Sequence, residues 1–242
     1  MIMSKLFLVR HGQSEWNSQN RFTGWVDVNL SDQGRAEAKK SGEMLNALNI
    51  NIDFFYTSFL RRAINTLEII LGEINKDNIN YIKAWELNER HYGSLTGLDK
   101  DEVKKKLGEE LFKKYRRSWD IAPPPQEDNS ENEKLYSPLN KHIDKTLIPK
   151  TESLKDTYER VIPYFNKEIK HRLESNKNIL IAAHGNSLRA LCKMLLKISD
   201  EKINELEIPT GNPLIIDFEK DLTIQSIKYL DNSREKKIIS NQ

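Results

Sequence analysis

Two short, unbroken apolar runs, one near each end of the chain and each cut off by a histidine and a glycine, constrain the fold more than any other feature. The first, Leu6-Phe7-Leu8-Val9, ends in Arg10-His11-Gly12, and the second, Ile179-Leu180-Ile181-Ala182-Ala183, ends in His184-Gly185-Asn186. A run without polar alternation fits a strand buried on both faces, as in a sheet with helices on either side. The segments between the runs agree. Ala36, Ala38, Met44, Leu45 and Leu48 suit a helix over 32–48, with Ser31 or Asp32 as its N-cap. A second strand is expected at 52–56, with Thr57-Ser58 opening a helix that carries Ala63, Leu67, Ile70 and Leu71 on one face. A helix over 186–196 and strands at 213–218 and 224–229 complete an α/β pattern with a sheet covered on both faces.

With 242 residues the chain is long enough for one large domain or two small ones, and it needs no disulfide to hold a core. Its single cysteine, Cys192, cannot form an internal disulfide or a multi-cysteine metal site, which points to a reducing compartment. The apolar stretch at 6–9 is too short for a signal-peptide core, and no run approaches the ~20 apolar residues of a membrane span, so a soluble cytoplasmic protein is expected. The 38 Lys plus Arg against 36 Asp plus Glu give a net charge of only +2, which argues against a dedicated nucleic-acid binder. A charged helical stretch is expected at 99–119. Residues 122–149, with Pro123-Pro124-Pro125 and little periodicity, read as an insertion near a site, and 231–242 as a mobile polar tail. No internal repeat is visible.

Three expected strand ends carry reactive or charged residues: Arg10-His11-Gly12, Thr57-Ser58 with Arg61-Arg62, and His184-Gly185-Asn186. Ligands of open α/β sheets bind where the carboxyl ends of strands converge, so these groups share one pocket in this reading. Guanidinium forks and helix N-termini, here Ser58 and Asn186, make it an anion site, and Gly12 lets the backbone approach a ligand. Metal binding is the rival for the histidines. It is weakened because neither has a partner at helical ligand spacing and arginines repel a cation. Cys192 and the four tryptophans are expected to pack the core, and His91, His142 and His171 carry no assigned chemistry. Lys104-Lys105-Lys106 is expected to be a solvated helix face.

The stretch Leu8-Val9-Arg10-His11-Gly12-Gln13-Ser14-Glu15-Trp16-Asn17 resembles the signature of the histidine phosphatase superfamily, in its cofactor-dependent phosphoglycerate mutase branch. Further blocks follow in the family's order. They are 21–25, Tyr56-Thr57-Ser58 with Arg61-Arg62-Ala63, Leu87-Asn88-Glu89-Arg90-His91-Tyr92-Gly93, Gly97-Leu98 with Lys100, Arg116-Arg117, 151–154, 182–189 and 208–211. The block around Glu89, together with the arginine pair, is narrower than Arg-His-Gly alone and favours the mutase branch over the phosphatases.

The resemblance implies a three-layer α/β/α fold with a mostly parallel sheet. It also implies a single domain over 1–242 with a lid-like insertion at about 99–150. The chemistry it implies is isomerisation of 3-phosphoglycerate and 2-phosphoglycerate, in glycolysis and gluconeogenesis, through a phosphohistidine primed by 2,3-bisphosphoglycerate and without a metal. His11 matches the nucleophile, and Arg10, Arg62 and His184 match the phosphoryl clamp. Glu89 matches the acid/base, although a carboxylate among arginines also suits a plain ion pair. Ser14, Asn17, Thr23, Gly24, Arg90, Tyr92, Lys100, Arg116, Arg117, Gly185 and Asn186 match substrate-binding positions. Arg116-Arg117 also suits the solvated end of a charged helix. Small phosphoglycerates, not nucleic acid or membrane, are the implied partners, and a homo-oligomer, most simply a dimer, is the implied assembly.

A neutral imidazole, with a pKa of ~6.5, is a competent nucleophile near neutrality, so activity is expected to fall as His11 is protonated and as His184 becomes neutral. Gln13 stands where the mutase pattern has Glu, removing a negative charge expected beside the phosphoryl site. A phosphomonoester phosphatase with the same nucleophile and a non-catalytic phosphate-binding module remain as alternatives.

Overall fold

The computed structural model describes residues 3–127 and 143–239. A six-stranded sheet with order β3-β2-β4-β1-β5-β6 forms the centre. Its strands are β1 (Ser4–Arg10), β2 (Phe54–Thr57), β3 (Ile82–Lys83), β4 (Ile179–Ala183), β5 (Leu214–Phe218) and β6 (Ile224–Tyr229). The β1–β4, β2–β4 and β2–β3 pairs are parallel, while β5 runs against both β1 and β6. The mostly parallel expectation therefore holds, with one antiparallel strand inserted near an edge.

Alternation along β1 sends Leu6 and Leu8 to one face and Phe7 and Val9 to the other. Phe7 and Val9 meet Leu45 of α2 (Asp32–Ala47) and Leu67 and Ile70 of α3 (Arg61–Glu73). Leu6 and Leu8 meet Val161 of α6 (Leu154–Tyr164) and Leu188 and Leu191 of α8 (Gly185–Leu195). Burying one such side chain contributes about 1.5–3 kcal/mol, so the two-faced apolar strands hold the three layers together. The register matters for function. Val9 lies opposite Ala182 and Arg10 opposite Ala183, and the His11 N–H donates to the Ala183 carbonyl at 2.9 Å, which sets His11 and His184 side by side just past the carboxyl ends.

Several expected boundaries move. β2 lies at Phe54–Thr57 rather than 52–56, and the helix after it opens at Arg61, with Leu60 as its N-cap, rather than at Thr57-Ser58. Ser58 is therefore not a helix N-terminus. The charged stretch is two helices, α4 (Lys100–Leu107) and α5 (Glu109–Arg117), broken where Gly108 takes φ 78°. The loop over 13–31 contains a short helix, α1 (Glu15–Ser18), capped by Ser14. Among the strands and α-helices, β3, α6 and α7 (Lys170–Glu174) had no sequence expectation. Pro163 sits inside α6, and a π turn at Phe165–Ile169 follows it, because a proline withholds one N–H from the helical ladder.

The described part of the tail folds back on the body. Asn232–Arg234 forms a 3-10 turn, Arg234 donates to the Thr210 carbonyl at 2.6 Å, and Ile239 is buried against the main core. The proline-rich insertion is described to residue 127 and again from 143, and the rest of it, with His142, lies outside the described residues. Cys192 is buried in the core, as expected, and burial pushes its thiol up to about 12. No helix among the described residues is long and apolar enough to cross a membrane.

Candidate active site

His11 leaves the end of β1 almost wholly buried, and its two nitrogens are differentiated by their neighbours. Nδ1 lies 2.7 Å from the Gly12 carbonyl, which can only accept, so Nδ1 carries the proton. The lone pair is then on Nε2, which receives the Nε–H of Arg62 at 3.3 Å. Burial, then Arg62 and Arg10, hold the His11 pKa well below that of an ordinary imidazole, so the ring is neutral at pH 7. This combination leaves a fixed, deprotonated nitrogen facing a cation.

Arg62 is buried and held from behind, donating to the Val26 carbonyl at 2.9 Å and to the Gly24 carbonyl at 2.7 Å. Burial lowers its pKa to about 10, which still leaves it charged at neutral pH. Arg10 donates to the Ile208 carbonyl at 2.9 Å, and its buried Nε has no partner. His184 packs edge-on to His11, with ring centroids 4.9 Å apart. Its Nε2 lies 2.7 Å from the Ser58 hydroxyl oxygen, which also accepts from the Leu60 N–H at 3.1 Å. We assign the Ser58 proton to this bond, donated to Nε2, which places the imidazole proton on His184 Nδ1, a buried atom without a partner. Burial, followed by Arg62, His11, Arg160 and Arg10, lowers the His184 pKa well below normal. The sequence-based expectation of a cationic His184 is corrected: surrounded by cations, the ring is neutral, and its donor is a neutral N–H.

Glu89 closes the fourth side. Its Oε1 accepts from the backbone N–H groups of Arg90 (2.8 Å) and Asn186 (3.1 Å), the latter in the first turn of α8. A Cβ built on Gly185 would stand 3.5 Å from Arg10 Nε and 3.7 Å from Glu89 Oε2, so the absent side chain keeps open the space between cation and carboxylate.

Two cavities meet here. An inner one of about 80 Å³ is lined by Arg10, His11, Arg62 and Glu89, together with Asn17, Thr23, Gly24, Tyr92, Lys100 and Arg116. An outer cleft of about 560 Å³ shares Arg10, Glu89, Tyr92 and Arg116 with it and adds Arg117, Gly185 and Asn186. Of the catalytic and substrate-binding residues singled out from sequence, His184, Ser14 and Arg90 line neither, His184 reaching the site through its contact with His11. Ser14 caps α1 in a reciprocal pair with Asn17, and buried Arg90 stacks on the Tyr92 ring at 4.7 Å while donating to the Tyr115 and Arg116 carbonyls. Burial alone would raise the Tyr92 phenol, but Arg90 and Arg116 outweigh it and the pKa falls.

Two further expectations are corrected. Gly12 serves packing rather than ligand approach, since a Cβ there would meet the Gly34 carbonyl oxygen at 2.1 Å. The Gln13 side chain accepts from the Ser31 hydroxyl at 2.9 Å, so it is engaged at the start of α2 rather than beside the phosphoryl pocket. Sequence reasoning gave no role to Arg21 in the inner cavity, or to Arg189, Glu207 and tail residues 233–236 in the outer cleft. Glu207 holds Arg117 at 2.5 Å. Arg189 closes the family block at 182–189 without an assigned role, and nothing local in the sequence marks Glu207, which reaches the cleft through tertiary packing.

Two neutral imidazoles, the buried guanidinium of Arg62, the half-buried one of Arg10 and a carboxylate at the carboxyl edge of a doubly covered sheet define an α/β protein with a pocket suited to an anion. Comparison with known proteins agrees. The model of the histidine phosphatase superfamily (branch 1) matches residues 6–134 and 125–228. The 2,3-bisphosphoglycerate-dependent phosphoglycerate mutase of Pelagibacter ubique is 54% identical, covering 98% of this chain and 99% of that protein. The protein of the same name from Maricaulis maris is 50% identical, covering 97% of each chain. Among solved structures, YhfR of Bacillus stearothermophilus superposes with a TM-score of 0.68 at 22% identity over 92% of this chain and 94% of that one, a likeness of fold. The chain belongs to the histidine phosphatase superfamily and, within it, to the 2,3-bisphosphoglycerate-dependent phosphoglycerate mutases.

Proposed function

We propose that the chain interconverts 3-phosphoglycerate and 2-phosphoglycerate by ping-pong transfer through a phosphohistidine on His11. The observation that carries this mechanism is the His11 geometry: Nδ1–H fixed on the Gly12 carbonyl, and a bare Nε2 facing Arg62 inside the inner cavity. Such a nitrogen needs no separate base. As the Nε2–P bond forms, the Arg62 Nε–H turns its hydrogen bond from Nε2 to a phosphoryl oxygen, and Arg10 Nε and His184 Nδ1 supply the buried, unpartnered donors such oxygens require. Glu89 protonates the departing hydroxyl oxygen and, on the return, takes the proton from the attacking one.

The cavities also suit the doubly phosphorylated 2,3-bisphosphoglycerate. The His11 pocket takes one phosphoryl group, while Lys100 and Arg116 in the same cavity and Arg117 in the adjoining cleft provide further cations for the second phosphate and the carboxylate. When bound, the bisphosphate supplies the phosphoryl group that first charges His11. Residues 99–150 act as the covering insertion of a single domain, and a cytoplasmic homodimer is the assembly we infer from the family. Hydrolysis of the phosphohistidine is the competing fate, because Arg10 and Glu89 line both cavities and so connect the pocket with the open cleft.

The test supplies 3-phosphoglycerate with substoichiometric 2,3-bisphosphoglycerate in EDTA and follows 2-phosphoglycerate and free phosphate together. Bisphosphate-dependent 2-phosphoglycerate formation with little phosphate is expected. Free phosphate as the main product would overturn the mutase reading in favour of a phosphatase.

A further inference from the structure

The loop that carries Glu89 has no ladder of its own. It runs between two 3-10 turns, Trp85–Leu87 and Gly93–Leu95, and the carbonyls of Glu86, Asn88 and Glu89 all meet a side chain that lines neither cavity. Buried carbonyls need donors, and here one side chain from another layer supplies all three. Arg160 of α6 donates from Nη1 to Glu86 O at 2.5 Å and to Asn88 O at 3.1 Å, and from Nη2 to Glu89 O at 3.0 Å.

Its remaining N–H groups go to Glu152, from Nε to Oε1 at 2.6 Å and from Nη2 to Oε2 at 3.0 Å. All five guanidinium protons are thereby used, with the two side chains only 9% and 4% exposed. Glu152 completes the tie. Its Oε2 accepts from the His91 N–H at 2.7 Å, and its own N–H donates to the His91 carbonyl at 3.0 Å. One buried ion pair therefore grips the backbone on both sides of Glu89, while the Arg90 and Asn186 N–H groups hold its carboxylate in front.

A buried ion pair kept only for stability is replaceable in principle, since desolvation offsets much of its attraction. This one has a geometry that a simple ion pair does not require: a planar fork satisfying three carbonyls within four residues of the loop that presents the acid. We propose that Arg160, oriented by Glu152, is a positioning residue that sets the Glu89 carboxyl group at the leaving oxygen, and that it acts on the protonation of that oxygen rather than on phosphoryl capture by His11. The inference rests on the mechanism above. In that step the ester P–O bond breaks as the His11 Nε2–P bond forms, and the Glu89 proton passes to the departing alkoxide oxygen.

The distinction can be read with two esters. The alkoxide of a phosphoglycerate needs a proton to leave, whereas the phenolate of 4-nitrophenyl phosphate leaves without one. Full-length Arg160→Met and Arg160→Lys enzymes are compared with Glu152→Gln, and Glu89→Gln serves as control. For Arg160→Met the expected result is a loss of ~10–10² in kcat for phosphoglycerate isomerisation, below the ~10²–10⁴ of removing a general acid outright, with KM nearly unchanged. The 4-nitrophenolate burst that reports phosphorylation of His11 stays within about threefold of wild type. Arg160→Lys, with three donors instead of five, recovers part of the loss, and Glu152→Gln, which keeps the shape, falls between. Arg160→Lys and Glu152→Gln carry the test should the Met variant not fold.

Equal losses on both esters, or none on either, would overturn the proposal. The control separates it from the mechanism beneath. A Glu89→Gln enzyme that loses both esters equally refutes the acid assignment, while one selective for the alkyl ester beside unselective Arg160 variants refutes only the positioning role.

Discussion

Replacing Gly185 by alanine adds one methyl group to the wall between Arg10 and Glu89 and disturbs little else. The new Cβ would lie 3.5 Å from Arg10 Nε, 3.6 Å from Arg10 Cζ and 3.7 Å from Glu89 Oε2, all ordinary contact distances, so no backbone has to shift. Gly185 is the first residue of α8, and its φ lies outside the left-handed region that would favour glycine. Alanine is therefore compatible with the fold and restricts the unfolded chain, a gain of about 0.4–1 kcal/mol. For a domain of this size that corresponds to a melting temperature higher by roughly 1–4 °C. The active site responds in the opposite direction. The methyl occupies the strip where the transferring group must touch both Arg10 and Glu89, and a displacement of ~1 Å there costs on the order of 10² in kcat/KM. Thermal melting and the coupled mutase assay on one preparation measure both effects. A variant with kcat/KM within threefold of wild type would show that the reacting group does not pass between Arg10 and Glu89. A melting temperature several degrees lower would refute the packing argument.

Other outcomes follow from the same geometry. His11→Asn should fold normally and never carry phosphate, read by phosphorus NMR after exposure to 2,3-bisphosphoglycerate, and a phosphohistidine signal from that variant would displace His11 as the nucleophile. Arg62→Lys strips donors from the buried Gly24 and Val26 carbonyls, expected to cost ~2–4 kcal/mol in urea unfolding. It also removes a phosphoryl donor, slowing phosphoenzyme formation ~10²–10³-fold. The depressed histidines make the fold acid-sensitive: His91, lowered to about 4 by burial and Arg160, takes up its proton in the unfolded chain first. Its contribution is complete above pH ~6.5 and lost as pH falls toward 4, amounting to about 2 kcal/mol by pH 5, with His11 and His184 adding in the same direction. Urea unfolding at pH 7.5 and 5.0 checks this, and equal stabilities would contradict it. The acid limb of phosphoenzyme formation should likewise lie below the ordinary imidazole value, because His11 stays neutral there.

How much of this was legible in the sequence depends on whether a residue acts through its neighbours in the chain or through the fold. β4 and β6 fall where the apolar runs place them, and β5 one residue inside its expected range, because strands buried on one or both faces announce themselves by composition alone. The convergence of Arg10, His11, Arg62, Glu89 and His184 was legible too, since four of them follow strand ends or open the next helix, and Glu89 stands in a block specific to the mutases. What failed to show was the meaning of single residues whose partners lie far along the chain. Ser58 looked like a helix cap, but its hydroxyl is turned to His184, 126 residues away. Gly12 looked like a ligand contact, but it admits the backbone of α2. His184 looked like a cation because an isolated imidazole is half charged near pH 6.5, and only the fold brings Arg10, Arg62 and Arg160 close enough to keep it neutral. Arg160 gave no signal at all, because an arginine on a helical face normally reaches solvent, and its three carbonyl partners sit more than seventy positions earlier. The pattern has a physical origin. The groups that touch the anion are fixed by chemistry and recur in recognisable strings, whereas the groups that hold them in place need only donate or accept at the right point, and tertiary structure can supply that point from any part of the chain.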